Sequence, residues 1–196
     1  MTPADPCPQA RRTLAAQTSI CGLGVRTGRC IELSVGPAPA GSGITIERTD
    51  IGCTWPADLD HALPLPACSS IGDETGRVDF VEHLMAVLWA EGITDAHVRL
   101  DGPEVPLLDG SAAPLLSMVR AGGIETLPGS VEPLVPCEPL FHIGDDRALA
   151  VVPDDRPRFG YCLVHSHELI GHQFAEFDAS RASVDDLPWP GAFNAR

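Results

Sequence analysis

Short runs of alternating or β-branched apolar residues recur through the first hundred positions, in RRTLAAQTSI, CIELSVGP, SGITIERTD and DAHVRLDG. They are closed by Gly, Pro or Asp, the pattern of strands that end in turns. Between them, ADLDHALPLPACSSIGDETGR breaks the alternation and reads as irregular and loop-rich. Two segments take helical spacing instead. One runs from Val81 to about Glu91 and is stopped by Gly92; the other runs from Ser111 to Arg120 and is stopped by Gly122-Gly123. Ser111 is the expected N-cap of the second helix, and Pro114 is tolerated in its first turn. The Pro- and Gly-rich stretch LPGSVEPLVPCEP reads as a linker. Strand patterns then resume in ALAVVP, RFGYCLVHS and HQFAEFDA, and no helix is legible after Gly123.

These elements predict an α+β fold, a two-layer α/β sandwich with strands packed on two helices. Residues 1–10 are expected to form a loose tail, and 11–130 the first sandwich domain. Residues 131–196 read as an incomplete second domain, mainly strands, with one face not yet covered by helices.

The first helix carries an unusual pair. On a helical wheel Val81, Leu84, Met85 and Leu88 form one apolar stripe. Glu82 and His83 fall off it, on a side shared with the small residues Ala86 and Ala90. Local spacing supports an ordinary helix start, because Asp79-x-x-Glu82 fits a capping box and His83 suits a half-buried imidazole. It also supports half of a metal site, since small neighbours leave room for a ligand.

Composition narrows the choice of partners. The net charge is −14, and all 13 basic residues are Arg. Such a chain has no electrostatic footprint for nucleic acid or anionic membranes, though a few Arg residues can hold a small anion. The seven Cys show no CxxC and no paired framework, so reduced thiols in a cytoplasmic protein are expected. Arg11-Arg12 imitates a twin-arginine export signal, but Gln17, Thr18, Ser19, Gly22 and Gly24 interrupt any apolar core behind it. No run reaches membrane-spanning length.

The block VEHLMAVLWAEGITDAHVRLDGPEVPLLDGSAAPLL strongly resembles the UDP-3-O-acyl-N-acetylglucosamine deacetylases, zinc amidohydrolases of lipid A synthesis. The likeness extends further. The region around Gly24-Val-Arg-Thr-Gly28 resembles the family's N-terminal hairpin, PLLDGSAAP its Pro-Ile-x-Asp-Gly-Ser segment, and HSHELIGHQ its second-domain strand and turn. The resemblance implies that Glu82 is the general base and His83 one of three Zn²⁺ ligands. It also implies that Cys68 and Ser69 lie in a loop approaching the site, with Cys68 as a substrate-binding candidate. Two such domains would pack their helices together with the metal between them. The implied reaction is zinc-dependent removal of the N-acetyl group from UDP-3-O-acyl-N-acetylglucosamine, in which a carboxylate takes a proton from water activated by the metal.

The chain departs from the pattern in several places. The family draws its other His and its Asp from a His-x-x-x-Asp helix far downstream, and no such helix is legible here. The next family motif would begin at Ala195-Arg196. An incomplete form that lacks two metal ligands, and is inactive alone, is therefore expected. His165, His167 and His172 offer an HxH…H pattern, but two of them coincide with a family segment that has no metal role. Phe80 stands where Ser or Thr usually precedes Val-Glu-His, and Arg26 where His is common. The alternative reading is a non-catalytic relative that binds a nucleotide sugar or a protein partner. A homodimer through the uncovered helix face is also compatible with the pattern.

Overall fold

The computed structural model describes residues 8–66 and 68–179. Most of the expected tail, residues 1–7, and the expected motif at Ala195-Arg196 lie outside the described residues. The described chain divides into two compact units, one from Gln9 to Val131 and the other from Glu132 onward. In the first unit the order is β1 (Gln9–Leu14), β2 (Thr18–Leu23), β3 (Cys30–Gly36), β4 (Ile44–Arg48) and β5 (Cys53–Pro56). There follow β6 (Ala62–Leu63), β7 (Ser70–Asp73), β8 (Gly76–Asp79), α1 (Glu82–Ala90), β9 (Ala96–Leu100), α2 (Ala113–Ala121) and β10 (Ile124–Val131).

Five strands form the main sheet in the order β2-β3-β9-β4-β5, with β4 and β9 parallel and the other pairs antiparallel. The strand period of two decides which face is buried. Ile31, Leu33 and Val35 of β3, Ile46 of β4, and Ala96, Val98 and Leu100 of β9 all point inward. Leu84, Val87 and Leu88 of α1 and Leu115, Leu116, Met118 and Val119 of α2 complete the core. Each large apolar side chain removed from water contributes about 1.5–3 kcal/mol, so this interface is the main source of stability. The fold is the expected α+β sandwich of strands on two helices. On α1, Val87 is buried and Met85 only half-buried, which moves the apolar stripe slightly from its expected place.

The helix starts differ from expectation. No side-chain capping bond is made at either, and the Asp79–Glu82 capping box does not form. Both carboxylates are taken by other donors. The chain enters α1 through Phe80, which adopts a left-handed backbone at φ 62°. It leaves through Gly92 at φ 69°, where Ile93 N–H reaches Leu88 O and Gly92 N–H reaches Trp89 O. That is a Schellman ending, sealed by burial of both Ile93 and Leu88. Ser111 sits before α2 and accepts a bond from Ala113 N–H at 3.2 Å while donating to Asp109.

Two elements were hidden in the sequence. The stretch that reads as loop contains a three-stranded antiparallel sheet, β6-β7-β8. The start of the expected linker is β10, which pairs with β1 through a register shift. Gln9 and Ala10, expected in the tail, pair there with Val131 and Ser130. The expectation of uniformly reduced thiols is also corrected, because Cys21 and Cys30 are joined across the β2–β3 hairpin. Their strands are antiparallel neighbours, with Cys21 opposite Glu32 and Leu23 opposite Cys30. The residues lie 6.6 Å apart at Cα, within the range a disulfide spans.

The second unit holds β11 (Leu140–Ile143), β12 (Ala148–Val151), β13 (Arg158–Val164) and β14 (His172–Asp178), paired as two hairpins. Phe141, Ile143, Leu149, Tyr161, Val164 and Phe174 are exposed on them.

Asp95, fully buried after α1, ties this frame together. Its carboxylate accepts from the Gly43 amide at 2.9 Å, the Thr94 hydroxyl at 2.7 Å and the Arg11 guanidinium at 3.1 Å. Burial alone would raise its pKa, but the Thr94, Gly43 and Arg11 donors outweigh burial and hold it below the ordinary value. A depressed carboxylate pKa stabilises the fold above the unfolded value of about 4 and loses that contribution as the pH falls through the folded value. Asp95→Asn is therefore expected to cost about 2 kcal/mol at pH 7. Urea unfolding at stepped pH should show that deficit shrinking as the pH falls below about 4.

Candidate functional site

The site begins with a turn. Gly24 N–H reaches Arg29 O and Gly28 N–H reaches Gly24 O, closing a loop in which Gly28 has φ 64°. Inside it lies the carboxylate of Glu104, whose residue is 1% exposed. Glu104 Oε2 accepts from Arg26 N–H at 3.0 Å, and Oε1 accepts from Thr27 N–H at 2.8 Å and the Thr27 hydroxyl at 2.7 Å. A Cβ at Gly24 would run into Glu104 Oε1 and Thr27 Oγ1, so only glycine allows this approach. Burial pushes the Glu104 pKa up, but the Arg26 and Thr27 donors push it down further, and it lies below the ordinary value.

The turn plants Arg26. One end of its guanidinium donates to Asp79 Oδ2 at 2.8 Å, and the other to Cys68 Sγ at 3.4 Å. Its carbon lies 4.9 Å from the centroid of the Phe80 ring, within cation–π range. Asp79 is itself buried and accepts from the Ser70 hydroxyl at 2.8 Å and Arg77 Nε at 3.0 Å through its other oxygen. Asp79 and Glu104 also lie opposite one another in a short parallel bridge.

The three sequence candidates meet on the edge of this network. Ser69 N–H donates to Glu82 Oε2 at 3.0 Å, and Val81 N–H reaches Ser69 O, so the loop before β7 grips the start of α1. Cys68, adjacent in that loop, has its sulfur 3.4 Å from Ser70 Oγ. His83 is half-buried beside Glu82, and its ring makes no hydrogen bond among the described residues. Ala86 and Trp89, farther along the same helix, are exposed. Sequence reasoning singled out Arg26 only as a departure and missed Asp79 and Glu104 as members of the site. Arg26 and Phe80, two of the departures that the resemblance implied, lie against one another.

The described residues do not by themselves suit a catalytic zinc. Three protein ligands are needed, and no group of three or more His, Cys, Asp or Glu with metal-binding geometry occurs among them. A His-x-x-x-Asp spacing occurs twice, from His142 in β11 to Asp146 just past it, and from His97 to Asp101 along and just past β9, neither of them on a helix. In the second pair, four residues of strand separate two side chains by about 13 Å, whereas one helical turn would bring them together. Each of that pair is otherwise engaged: His97 lies 3.2 Å from Glu47, and Asp101 accepts from Glu32 N–H at 2.9 Å. His165 and His167 each accept a backbone N–H of their own turn through Nδ1, so these ring nitrogens serve the turn.

Comparison with known proteins shows the family. Residues 11–186 match the family described as LpxC, UDP-3-O-acyl N-acetylglycosamine deacetylase. The UDP-3-O-acyl-N-acetylglucosamine deacetylase of Anaeromyxobacter dehalogenans is 37% identical over 163 residues, covering 83% of this chain and 53% of that protein. Proteins of the same name from Myxococcus xanthus and Acidithiobacillus ferrooxidans are 33% and 34% identical, covering 86% and 88% of this chain and 54% and 58% of their own length. The chain belongs to the UDP-3-O-acyl N-acetylglycosamine deacetylase family, and it spans little more than half the length of these relatives. Among the described residues no helix is long and apolar enough to cross a membrane.

Replacing Glu104 by Gln puts an amide NH₂ against backbone donors, whichever way the amide is turned. The substitution is expected to cost roughly 2–3 kcal/mol. Urea unfolding should show a lower midpoint with an unchanged slope.

Proposed function

We propose that this sequence provides the base-carrying half of a deacetylase that hydrolyses the N-acetyl group of UDP-3-O-acyl-N-acetylglucosamine in lipid A synthesis. The observation that carries the reading is the Glu82–His83 pair at the start of α1, with Glu82 held by the Ser69 amide and the His83 ring without a hydrogen-bond partner among the described residues. Membership of the family and the names of the relatives support the substrate and the reaction.

In this reading Glu82 is the general base. It accepts a proton from water as the oxygen attacks the acetyl carbonyl; the C–N bond then breaks, acetate departs, and the proton passes to the leaving amine. A single bond from Ser69 leaves the other Glu82 oxygen for that proton. His83 is the residue assigned to Zn²⁺. One ligand is too few, so a working site takes two more from outside the described residues. Cys68 is assigned to the rim of the substrate site, beside the Ser69 amide. Cytoplasmic location belongs to the same reading, because an enzyme of this kind acts on a nucleotide sugar.

The shortage of ligands among the described residues favours one second reading, a chain that binds a nucleotide sugar or a protein partner without hydrolysing anything. Fusion separates the two. Joined to the part of the Anaeromyxobacter relative that it does not match and supplied with Zn²⁺, the chain is expected to release acetate. Glu82→Gln should lower that rate by about 100-fold or more. The 196-residue chain alone is expected to release none. A fused protein that folds and binds the nucleotide sugar yet releases no acetate would leave the binding reading standing.

A further inference from the structure

We propose that Arg26 is a positioning residue for Glu82, acting through the loop Cys68-Ser69-Ser70. The inference rests on the proposed role of Glu82 as base for its catalytic meaning, but not for its geometry.

Among the described residues the Glu82 carboxylate is held by one hydrogen bond, from Ser69 N–H. The place of that amide depends on the residues either side of it, and Arg26 controls both. On one side its Nη2 donates to Cys68 Sγ at 3.4 Å. On the other, its Nη1 bonds at 2.8 Å to Asp79, which receives the Ser70 hydroxyl on its second oxygen. Arg26 thus spans the loop as a fork, with the amide that meets Glu82 between its two attachments.

The fork has a fixed root and a fixed roof. Its own N–H and that of Thr27 are bound to the buried Glu104 carboxylate, so its backbone cannot drift. Its guanidinium carbon lies over the Phe80 ring, and Phe80 is the left-handed residue that turns β8 into α1. The same side chain therefore contacts both segments that must be held in register, the loop that donates to Glu82 and the joint from which Glu82 springs. Only a planar guanidinium can make these contacts together; a Lys ammonium could keep the Asp79 pair but not the sulfur contact and the stacking at once.

Other arrangements do not compete for this role. Arg77 also reaches Asp79, at 3.0 Å, but has no bond to the loop. The bond Val81 N–H to Ser69 O fixes the loop against the backbone and leaves the Glu82 side chain free to rotate.

The test reads the Ser69 amide in the full 196-residue chain, by amide hydrogen exchange and ¹⁵N resonance, and needs no catalysis. Arg26→Ala is expected to speed Ser69 exchange about 10-fold, the loss of one hydrogen bond, and to move its resonance as Glu82→Ala does. Adding Arg26→Ala to Glu82→Ala should then change Ser69 little further, as coupled residues require. Arg26→Lys should restore part of the protection. Arg26→Gln carries the same test should Arg26→Ala not fold. Wild-type exchange at Ser69 in a folded Arg26 variant would overturn the proposal. So would an equal rise in exchange along β7 and β8, which would make Arg26 a purely structural residue. Failure of the fused protein to release acetate would remove the catalytic reading and leave the Ser69 result intact.

Discussion

A buried carboxylate must be met by donors, and at Glu104 this demand organises everything around it. Its three bonds come from backbone and hydroxyl groups of a single turn, so satisfying the charge fixes the turn. Fixing the turn aims Arg26, Arg26 holds Asp79 and the Cys68 loop, and the loop holds Glu82. Magnitude decides why this chain of contacts matters. Hydrogen bonds to a buried charge are worth about 1.5–3 kcal/mol each. Exposed pairs elsewhere, such as Arg147 with Asp146, are screened by solvent and could be lost without consequence for the shape.

What was legible in the sequence followed periodicity. The alternation in CIELSVGP and DAHVRLDG marked β3 and β9 as strands, and Gly92 marked the end of α1 because a helix is readily closed by a left-handed glycine. β6 escaped because it has only Ala62 and Leu63 and is followed by two prolines. β10 escaped because Pro128 and Gly129 interrupt it; an outer position, paired only with β1, lets it tolerate both. The capping box at Asp79 and Glu82 failed for a different reason. Local rules offered each carboxylate a nearby amide, whereas Arg26, 53 positions away, and the Ser69 amide made better offers. Glu104 left one faint signal, an acid set between Pro103 and Val105 opposite a glycine-bounded turn, and nothing local could have paired the two.

The two departures from the family pattern are better understood together. The resemblance implies a His in place of Arg26 and a Ser or Thr in place of Phe80, yet here the guanidinium rests on the ring. Taken singly, each change removes a small polar group near the start of α1. Taken as a pair, they form a stacked contact that also lids the left-handed joint at Phe80, where a bulky residue is otherwise unfavourable. The site residues of this chain are thus a set that fits together, with Glu82 and His83 at its exposed edge.

The parts of this network are far apart along the chain: the turn near Arg26, the loop at Cys68, the joint at Phe80 and the acid at Glu104. Closing loops of that length costs entropy before any contact is rewarded, and non-local contacts form late in folding. Neither hairpin nor helix α1 alone contains enough of the network to assemble it. A nascent chain that has emerged only as far as α1 already holds Glu82 and His83 but lacks the carboxylate that orders their surroundings. Residues 103–105 therefore complete the network in time: the surroundings of Glu82 and His83 gain their buried anchor only after the polypeptide has passed Glu104.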